Sequence, residues 1–271
     1  MLNNPTNVQL KLTLKELQDL ETEMLKEVSE ICNRNNISYY LAYGSALGTI
    51  RHNGPIPWDD DVDIIIPYPE LDRFISTVRT ELPDNLYLNH YDINNKYWLL
   101  YPKIGMKGYN TRHLHLDVFV LIGAPDTLEE QVEFKKELDY LKNLFLYKKG
   151  MFKDFYMYKS LNWKEVIVQK SMKIKQFFTS SKSIIKKFET LCEKYEYGDS
   201  EIIVNSFGGY GLKEFTPKSF YGKGVLKNYE NLQIRIPEKY DEYLRNFYGD
   251  YMKYPPVKQR VTKEFYIIDK V

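Results

Sequence analysis

Residues 39–67 read YYLAYGSALGTIRHNGPIPWDDDVDIIIP, and this stretch carries the main signals for the fold. An apolar run at residues 39–43 leads into the small pair Gly44-Ser45, and a second apolar run at residues 62–66 follows a group of aspartates. Short apolar runs bounded by turn residues are typical of strands. The stretch therefore predicts a strand, a small-residue turn, a short helix and a carboxylate-bearing strand.

Asp61 and Asp63 stand two residues apart where the second predicted strand begins. Successive side chains of extended backbone point to opposite faces, so these two carboxylates leave the same face. Paired carboxylate oxygens suit a hard divalent cation, for which we expect Mg²⁺, with Mn²⁺ as the alternative ion. Asp59 is expected to add an outer ligand.

The small-residue turn supplies the complementary half of a site. Gly44 lets the backbone approach a ligand closely, and Ser45 offers a hydroxyl. A helix that begins here directs unpaired N–H groups and its positive dipole end towards a phosphate. A phosphate cradle beside two metal-binding carboxylates indicates phosphoryl or nucleotidyl transfer, in which magnesium neutralises charge on the phosphate oxygens.

Two other interpretations of the aspartates are weaker. A bare pair of aspartates is often only a solvated turn. The acidic spacing also matches four positions of an EF-hand calcium loop: Asp59, Asp61, Asp63 and Glu70. That loop requires glycine where Ile64 stands, and Pro67 and Pro69 interrupt its exiting helix, so we set it aside.

A later strand is predicted for residues 113–120, where polar and apolar side chains alternate. This period puts His113, His115 and Asp117 on one face. Asp117 is the candidate for a third carboxylate, either as a metal ligand or as the base that takes a proton from the acceptor hydroxyl, and His115 is the rival base. Lys103, near the end of a strand predicted for residues 97–104, either reaches a phosphate or lies in solvent.

These motifs resemble those of a known family. Gly44-Ser45 followed by Asp61-Val62-Asp63 resembles the signature of the nucleotidyltransferase fold, and residues 48–64, GTIRHNGPIPWDDDVDI, resemble the LicD family. That family comprises bacterial phosphotransferases that modify teichoic acids and capsular glycans, with fukutin-related animal relatives. Residues 113–125 and 235–256 are similar to two further blocks of the family.

The resemblance implies an α/β (α+β) fold class, with a nucleotidyltransferase-like mixed sheet flanked by helices. The helical, lysine-rich pattern of residues 129–187, which carries no family motif, separately predicts a basic helical insertion. We expect a single catalytic domain over residues 1–271. Within it we expect a core at residues 36–125, the insertion at residues 126–200, and a C-terminal cap of strands and a helix at residues 201–271.

The resemblance also implies a reaction. A CDP-activated donor such as CDP-choline, CDP-glycerol or CDP-ribitol passes its distal phosphoryl group to a hydroxyl of a glycan or lipid-linked glycan, and CMP is released. Asp61, Asp63 and Asp117 then carry the catalytic and metal-binding roles. The donor is bound by a wider set of residues: Gly44, Ser45, Arg51, Lys103, Tyr248 and Asp250. The last two enter by family likeness alone.

Composition limits the alternatives. Hydrophobic residues make up 43% of the 271 residues, which is ordinary for a protein with a buried core. The net charge of +1 gives no overall field that attracts nucleic acid, so no nucleic-acid partner is expected. Cys32 and Cys192 show neither metal-ligand spacing nor a disulfide framework, which indicates a reducing compartment.

The expected location is the cytoplasm. The N-terminal residues show no basic start followed by an apolar stretch, and no apolar run approaches the roughly 18 residues that a membrane span needs. Residues 135–187 are rich in lysine and aromatic side chains. Such a segment lies on an anionic membrane surface, holds a polyanionic glycan, or is a solvated helix pair. Peripheral contact with the inner face of the cell membrane is one hypothesis.

Two other function classes fit parts of the pattern. A glycosyltransferase that uses a D-x-D motif for a nucleotide sugar shares the metal chemistry, but it usually places more βα units before the motif. A glycan-binding module without catalysis would use the tyrosines and the basic helices and would need no metal.

Overall fold

The computed structural model describes residues 9–109, 114–151, 163–261 and 266–269. The helices in this part of the chain are α1 (Leu14–Arg34), α2 (Tyr43–His52), α3 (Leu71–Glu81), α4 (Leu128–Lys148), α5 (Trp163–Phe178), α6 (Ser181–Cys192) and α7 (Tyr240–Tyr248). The strands are β1 (Gln9–Leu12), β2 (Tyr40–Leu41), β3 (Val62–Pro67), β4 (Leu86–Asn89), β5 (Lys103–Met106), β6 (His115–Gly123), β7 (Ile202–Asn205), β8 (Thr216–Pro217), β9 (Val225–Tyr229), β10 (Leu232–Ile236) and β11 (Tyr266–Asp269). The predicted α/β (α+β) class is confirmed.

The chain divides into two compact units, each built from separate segments. Unit 1 comprises Met1–Asn89, Lys103–Phe119 and Lys218–Val271, and unit 2 comprises His90–Pro102 and Val120–Pro217. Every predicted site residue falls in unit 1.

Unit 1 contains the sheet that carries the candidate site. Its strands follow the order β2-β3-β6-β5-β4, and β5 pairs antiparallel with both β4 and β6. Every residue of β3 is buried, which explains why its sequence is apolar apart from Asp63. The predicted strand–turn–helix–strand order of residues 39–67 is confirmed by β2, α2 and β3.

Helix α1 has a recognisable sequence signal at each end. Thr13 and Glu16 form a capping box, in which each side chain receives a hydrogen bond from the other residue's backbone N–H. At the other end Asn36 adopts a positive φ of 54°, a conformation that asparagine tolerates better than most residues. Leu17, Leu25 and other apolar residues of this helix face the core.

The strand predicted for residues 97–104 is wrong over most of its length. The observed strand, β5, begins at Lys103, and the preceding residues form no strand. Tyr97 and Leu99 are nevertheless buried, and the Tyr97 hydroxyl donates to the Tyr101 carbonyl oxygen at 3.0 Å. The apolar side chains of this run are buried, but its backbone before Lys103 is irregular and forms no strand.

Unit 2 combines the second half of β6 with α4, α5 and α6. Residues 121–123 of β6 pair antiparallel with β7, which pairs in turn with β8. The helical pattern predicted after residue 128 is confirmed by these three helices. None of the helices that the structure describes is long and apolar enough to cross a membrane.

Candidate active site

The turn between β2 and α2 has a strained backbone. Tyr43 adopts a φ of 45°, in the left-handed region that an aromatic residue rarely occupies. Its backbone N–H donates to the hydroxyl of Tyr243 at 3.1 Å, and its ring packs edge-on against Phe119 and Phe247, with centroids 5.8 and 5.1 Å away. Such conformations persist where the surroundings hold them, and they cluster at functional sites. Sequence reasoning missed Tyr43 and Tyr243.

Ser45 joins this turn to the carboxylate strand. Its side-chain oxygen accepts a hydrogen bond from the backbone N–H of Asp63 at 2.9 Å, and the residue is buried. The two halves of the site predicted from the sequence are therefore in direct contact. In this geometry the Ser45 oxygen acts as an acceptor, so its O–H is the group that remains to donate to a ligand.

Gly44 lies directly against the carboxylate of Asp59. A Cβ atom at position 44 would stand 2.5 Å from Asp59 Oδ2, closer than any side chain tolerates. Gly44 is therefore required to admit the Asp59 carboxylate beside the N-terminal turn of α2, where the helix dipole favours negative charge. The backbone approach predicted for a phosphate is made here by a side chain of the protein itself.

The aspartates at the start of β3 carry uncompensated negative charge. Desolvation first, and then Asp60, raise the pKa of Asp59 to about 6. Desolvation, followed by repulsion from Asp59 and Asp117, raises the pKa of Asp61 to about 7, although water reaches and screens its exposed side chain. Burial and repulsion from Asp61 raise the pKa of Asp63 well above its ordinary value. Binding a cation would relieve this repulsion.

Asp117 has the opposite electrostatic environment. Lys103 and Asp117 face each other across the β5–β6 pair, with Lys103 Nζ 2.9 Å from Asp117 Oδ1. His115 Nε2 lies 3.6 Å from Oδ2. Burial alone would raise the pKa of Asp117, but Lys103 and then His115 outweigh it and hold that pKa below its usual range. The interpretation of Lys103 as a solvent-exposed lysine is wrong, because its side chain is buried in an ion pair.

Glu21 of α1 is an acidic residue that sequence reasoning missed. It is fully buried, and neither carboxyl oxygen has a hydrogen-bond partner among the described residues. Burial first, and then the charges of Asp61 and Asp60, raise its pKa well above the ordinary value. The available signal was its spacing, because Glu21 stands four residues after Leu17 and four before Leu25 on the buried face of the helix.

Gln18, on the same helix, holds the loop that precedes the aspartates. Its side-chain amide donates to the carbonyl oxygens of Ile56 at 3.0 Å and Asp59 at 2.8 Å. Helix α1 therefore packs against the core and also holds the loop, through hydrogen bonds from one side chain to two carbonyl groups of the loop.

The remaining predicted residues lie in different surroundings. Arg51, in the last turn of α2, donates from Nη1 to the Tyr251 carbonyl oxygen at 2.9 Å. Tyr248 is close enough to Arg51 to raise the pKa of that guanidinium, against the larger lowering by desolvation. Asp250 is exposed in the turn after α7, and its side chain makes no hydrogen bond or ion pair with another described residue. His113 lies outside the described residues.

The arrangement of the aspartates suits a divalent ion held by two carboxylates, Asp61 and Asp63, better than one held by three or more protein ligands. Among the described residues no three His, Cys, Asp or Glu side chains are gathered into a metal centre. Mg²⁺, however, commonly takes only one or two protein carboxylates and completes its octahedron with water and substrate phosphates. Burial and mutual repulsion raise the pKa values of Asp61 and Asp63, and a bound divalent ion would offset that repulsion. Asp117 is already paired with Lys103.

Comparison with known proteins relates this site to a family. Residues 36–149 match the family model described as LicD/FKTN/FKRP, nucleotidyltransferase domain. The matched range contains all the predicted site residues except Tyr248 and Asp250. It covers the strained turn, the aspartates and the Lys103–Asp117 pair.

One curated relative aligns over nearly the whole chain. It is the "Lipopolysaccharide cholinephosphotransferase LicD" of Haemophilus influenzae, 28% identical over 274 residues that cover 95% of this chain and 99% of the relative. An uncharacterised protein of Rickettsia prowazekii is 42% identical over 48 residues, 18% of each chain. The first similarity therefore extends well beyond the nucleotidyltransferase range.

Proposed function

Because this chain belongs to the LicD family through residues 36–149, we propose that it transfers a phospho-alcohol group from a CDP-activated donor to a glycan hydroxyl. We take the group to be phosphocholine, because the Haemophilus influenzae relative is named a cholinephosphotransferase and aligns with this chain over 99% of its length. Glycerol phosphate and ribitol phosphate are the alternative groups. The proposed acceptor is a lipopolysaccharide-type glycan, with teichoic acid and capsular polysaccharide as alternatives.

The observation that carries this proposal is the hydrogen bond from the Asp63 N–H to the Ser45 side chain, at 2.9 Å. It joins the first turn of α2, with its Ser45 hydroxyl, to a strand that carries two neighbouring carboxylates. Asp61 and Asp63 would hold Mg²⁺, and Mn²⁺ is the alternative ion. When bound, the ion supplies a positive charge that neutralises the diphosphate oxygens. The Ser45 O–H would orient the same phosphate.

The bond changes follow from this arrangement. The acceptor hydroxyl oxygen forms a bond to the distal phosphorus of the donor, while the bond from that phosphorus to the CMP oxygen breaks. The hydroxyl proton passes to a base. A carboxylate with a depressed pKa is a weak base, so we assign Asp117 to orienting His115 and assign the proton to His115.

A surface of unit 2 fits the proposed membrane partner. Near the end of α5, Ile174, Phe177 and Phe178 are 62%, 75% and 86% exposed, and Lys173 and Lys175 lie among them. Exposed apolar side chains with lysines are the elements by which peripheral helices bind anionic bilayers. This pattern supports peripheral binding to a membrane that carries a lipid-linked acceptor.

Phosphorus NMR tests the reaction class. The protein is incubated with Mg²⁺, a candidate glycan and one donor at a time. The donors are CDP-choline, CDP-glycerol, CDP-ribitol and a UDP-sugar. CMP together with a new phosphodiester signal from one CDP donor is the expected result. Release of UDP alone would favour the glycosyltransferase. Glycan binding that survives Asp61→Asn and Asp63→Asn, in a protein without turnover, would favour a binding module.

Two variants connect the reaction to the site. We expect Asp63→Asn to lower the rate by about three orders of magnitude, because it removes a ligand whose ion stabilises the transition state by several kcal/mol. Asp84→Asn, at an exposed position after α3, is the matched control and should keep the parent rate. Equal rates for both variants would contradict the metal-binding role of Asp63.

A further inference from the structure

Two guanidinium groups in unit 1 share the same pair of aromatic rings. The Arg51 Cζ atom lies 4.9 Å from the ring centroid of Tyr254 and 5.7 Å from that of Trp58. The Arg260 Cζ atom lies 5.0 and 5.4 Å from the same two centroids. We call these four residues the arginine–aromatic cluster. All four side chains reach solvent, and Trp58 directly precedes Asp59.

Backbone carbonyl groups hold both guanidinium groups in place. Arg51 donates from Nη1 to the Tyr251 carbonyl oxygen at 2.9 Å, and Arg260 donates from Nε to the Pro255 carbonyl oxygen at 2.8 Å. Arg51 Nε also lies 3.0 Å from His52 Nε2. These bonds and the ring contacts fix the orientation of the two cations before any ligand arrives.

Neither guanidinium group forms an ion pair with a carboxylate of the described residues, although the charge of Asp59 is felt at Arg51. In the part of the chain that the structure describes, neither Arg51 nor Arg260 has a carboxylate oxygen within 4.0 Å. Desolvation is the largest effect on Arg51 and lowers its pKa; Tyr254 opposes it, and repulsion from Arg260 lowers the pKa further. Cations kept close together without a counter-ion are typical of a site for an anion.

We propose that the arginine–aromatic cluster is a subsite for a phosphate ester, and that Arg260 is a binding residue for it. This inference rests on the proposed function. Guanidinium groups suit phosphate because their planar donors bind two oxygens at once. The cluster does not suit the cationic end of choline, because the ring faces that would receive a quaternary ammonium already carry guanidinium groups.

The position of the cluster limits the source of the phosphate to the two substrates. Trp58 is the neighbour of Asp59, and Arg51 lies on α2, the helix whose first turn carries Ser45. A phosphate bound here belongs either to the diphosphate of the donor or to a phosphorylated sugar of the acceptor. The chemistry is the same in both cases, and binding measurements separate them.

The test measures binding by isothermal titration calorimetry with two probes, CDP-choline in the presence of Mg²⁺ and glucose 6-phosphate. The variants are Arg260→Ala and Arg260→Lys. Arg79→Ala, which removes an equal charge from an exposed position on α3, is the matched control. We expect Arg260→Ala to weaken at least one probe about tenfold or more, Arg260→Lys to recover part of that loss, and the control to match the parent.

The outcomes separate the sources. A loss confined to CDP-choline assigns the subsite to the donor diphosphate, and a loss confined to glucose 6-phosphate assigns it to the acceptor. Equal affinities of Arg260→Ala and the parent for both probes would overturn the proposal, as would a parent that binds neither probe. Binding is measured without turnover, so failure of the proposed reaction is a separate result. Circular dichroism verifies that each variant is folded.

Discussion

The hydroxyl of Tyr243 accepts a hydrogen bond from the backbone N–H of Tyr43 at 3.1 Å, across 200 residues of sequence. Tyr43 is the left-handed residue that directly precedes Gly44 and Ser45. A side chain of the C-terminal helix α7 therefore holds the turn on which the proposed phosphate site depends.

Replacing Tyr243 with phenylalanine should loosen this turn. The change removes the hydroxyl and leaves a buried N–H without its acceptor, which costs about 1–3 kcal/mol. We expect a lower kcat with a smaller change in KM, since the turn orients the phosphate at the moment of reaction. Steady-state kinetics and urea denaturation measure both effects. Tyr240→Phe, in the same helix, is the control, and an equal loss in that variant would contradict the specific role of Tyr243.

Gly44→Ala should displace the Asp59 carboxylate. The new methyl group would stand 2.5 Å from Asp59 Oδ2, so the Asp59 side chain has to move away from the first turn of α2. We expect a marked loss of activity and of thermal stability. Adding Asp59→Ala should restore part of the stability, because it removes the clashing group. Gly209→Ala has open space around its Cβ and is the control. Parent-like stability in Gly44→Ala alone would contradict this geometry.

The buried pair of Lys103 and Asp117 should show strong coupling. Lys103→Met leaves Asp117 as a buried charge without its lysine, which destabilises a protein by about 3–5 kcal/mol. The double variant Lys103→Met with Asp117→Leu removes both charges and should be more stable than Lys103→Met alone. Urea denaturation of the two single variants and the double variant gives the coupling energy. Additive effects would indicate that the pair makes no net interaction.

The stability of the metal-free protein should fall as pH rises. The folded-state pKa is about 6 for Asp59 and about 7 for Asp61, both above the ordinary 3.8. A raised folded-state pKa contributes stability below the ordinary value, and that stability is lost as pH rises through the folded-state pKa. We expect the loss between about pH 4 and pH 7, as measured by thermal unfolding in EDTA.

Magnesium should reverse this trend. The ion binds ionised carboxylates, so it should raise the unfolding temperature more at pH 7.5 than at pH 5. Asp61→Asn should flatten the pH profile in EDTA and reduce the response to magnesium. A profile that is independent of pH in the parent protein would contradict the electrostatic account of these aspartates.

Membrane binding should depend on both charge and the exposed rings of α5. We expect the parent protein to float with vesicles that contain phosphatidylglycerol, and less so at high salt or with phosphatidylcholine alone. Phe177→Ala with Phe178→Ala should reduce flotation. Val257→Ala, which shortens an exposed apolar residue elsewhere, is the control. Binding that is indifferent to lipid charge would contradict the proposal.

Local features of unit 1 were predictable because they depend on neighbours in sequence. The capping box of Thr13 and Glu16 needs only residues three apart, and the apolar run of β3 indicates a buried strand wherever it lies. The small-residue turn at Gly44-Ser45 was predicted for the same reason. The resemblance of residues 48–64 to the LicD family then indicated which family these elements belong to.

Local sequence patterns predicted the strand–turn–helix–strand order of residues 39–67 and the aspartates of the candidate site, since period and turn chemistry act over a few residues, and the family resemblance supplied the α/β class. Which distant groups meet follows from the packing of the folded chain. Strand register placed Lys103 against Asp117, packing of α1 buried Glu21 beside the aspartates, and α7 brought Tyr243 to Tyr43. Such contacts join residues that are far apart in sequence, so they form only when the whole chain folds. Burial and neighbouring charges then change the pKa values of the ionisable groups that have been brought together.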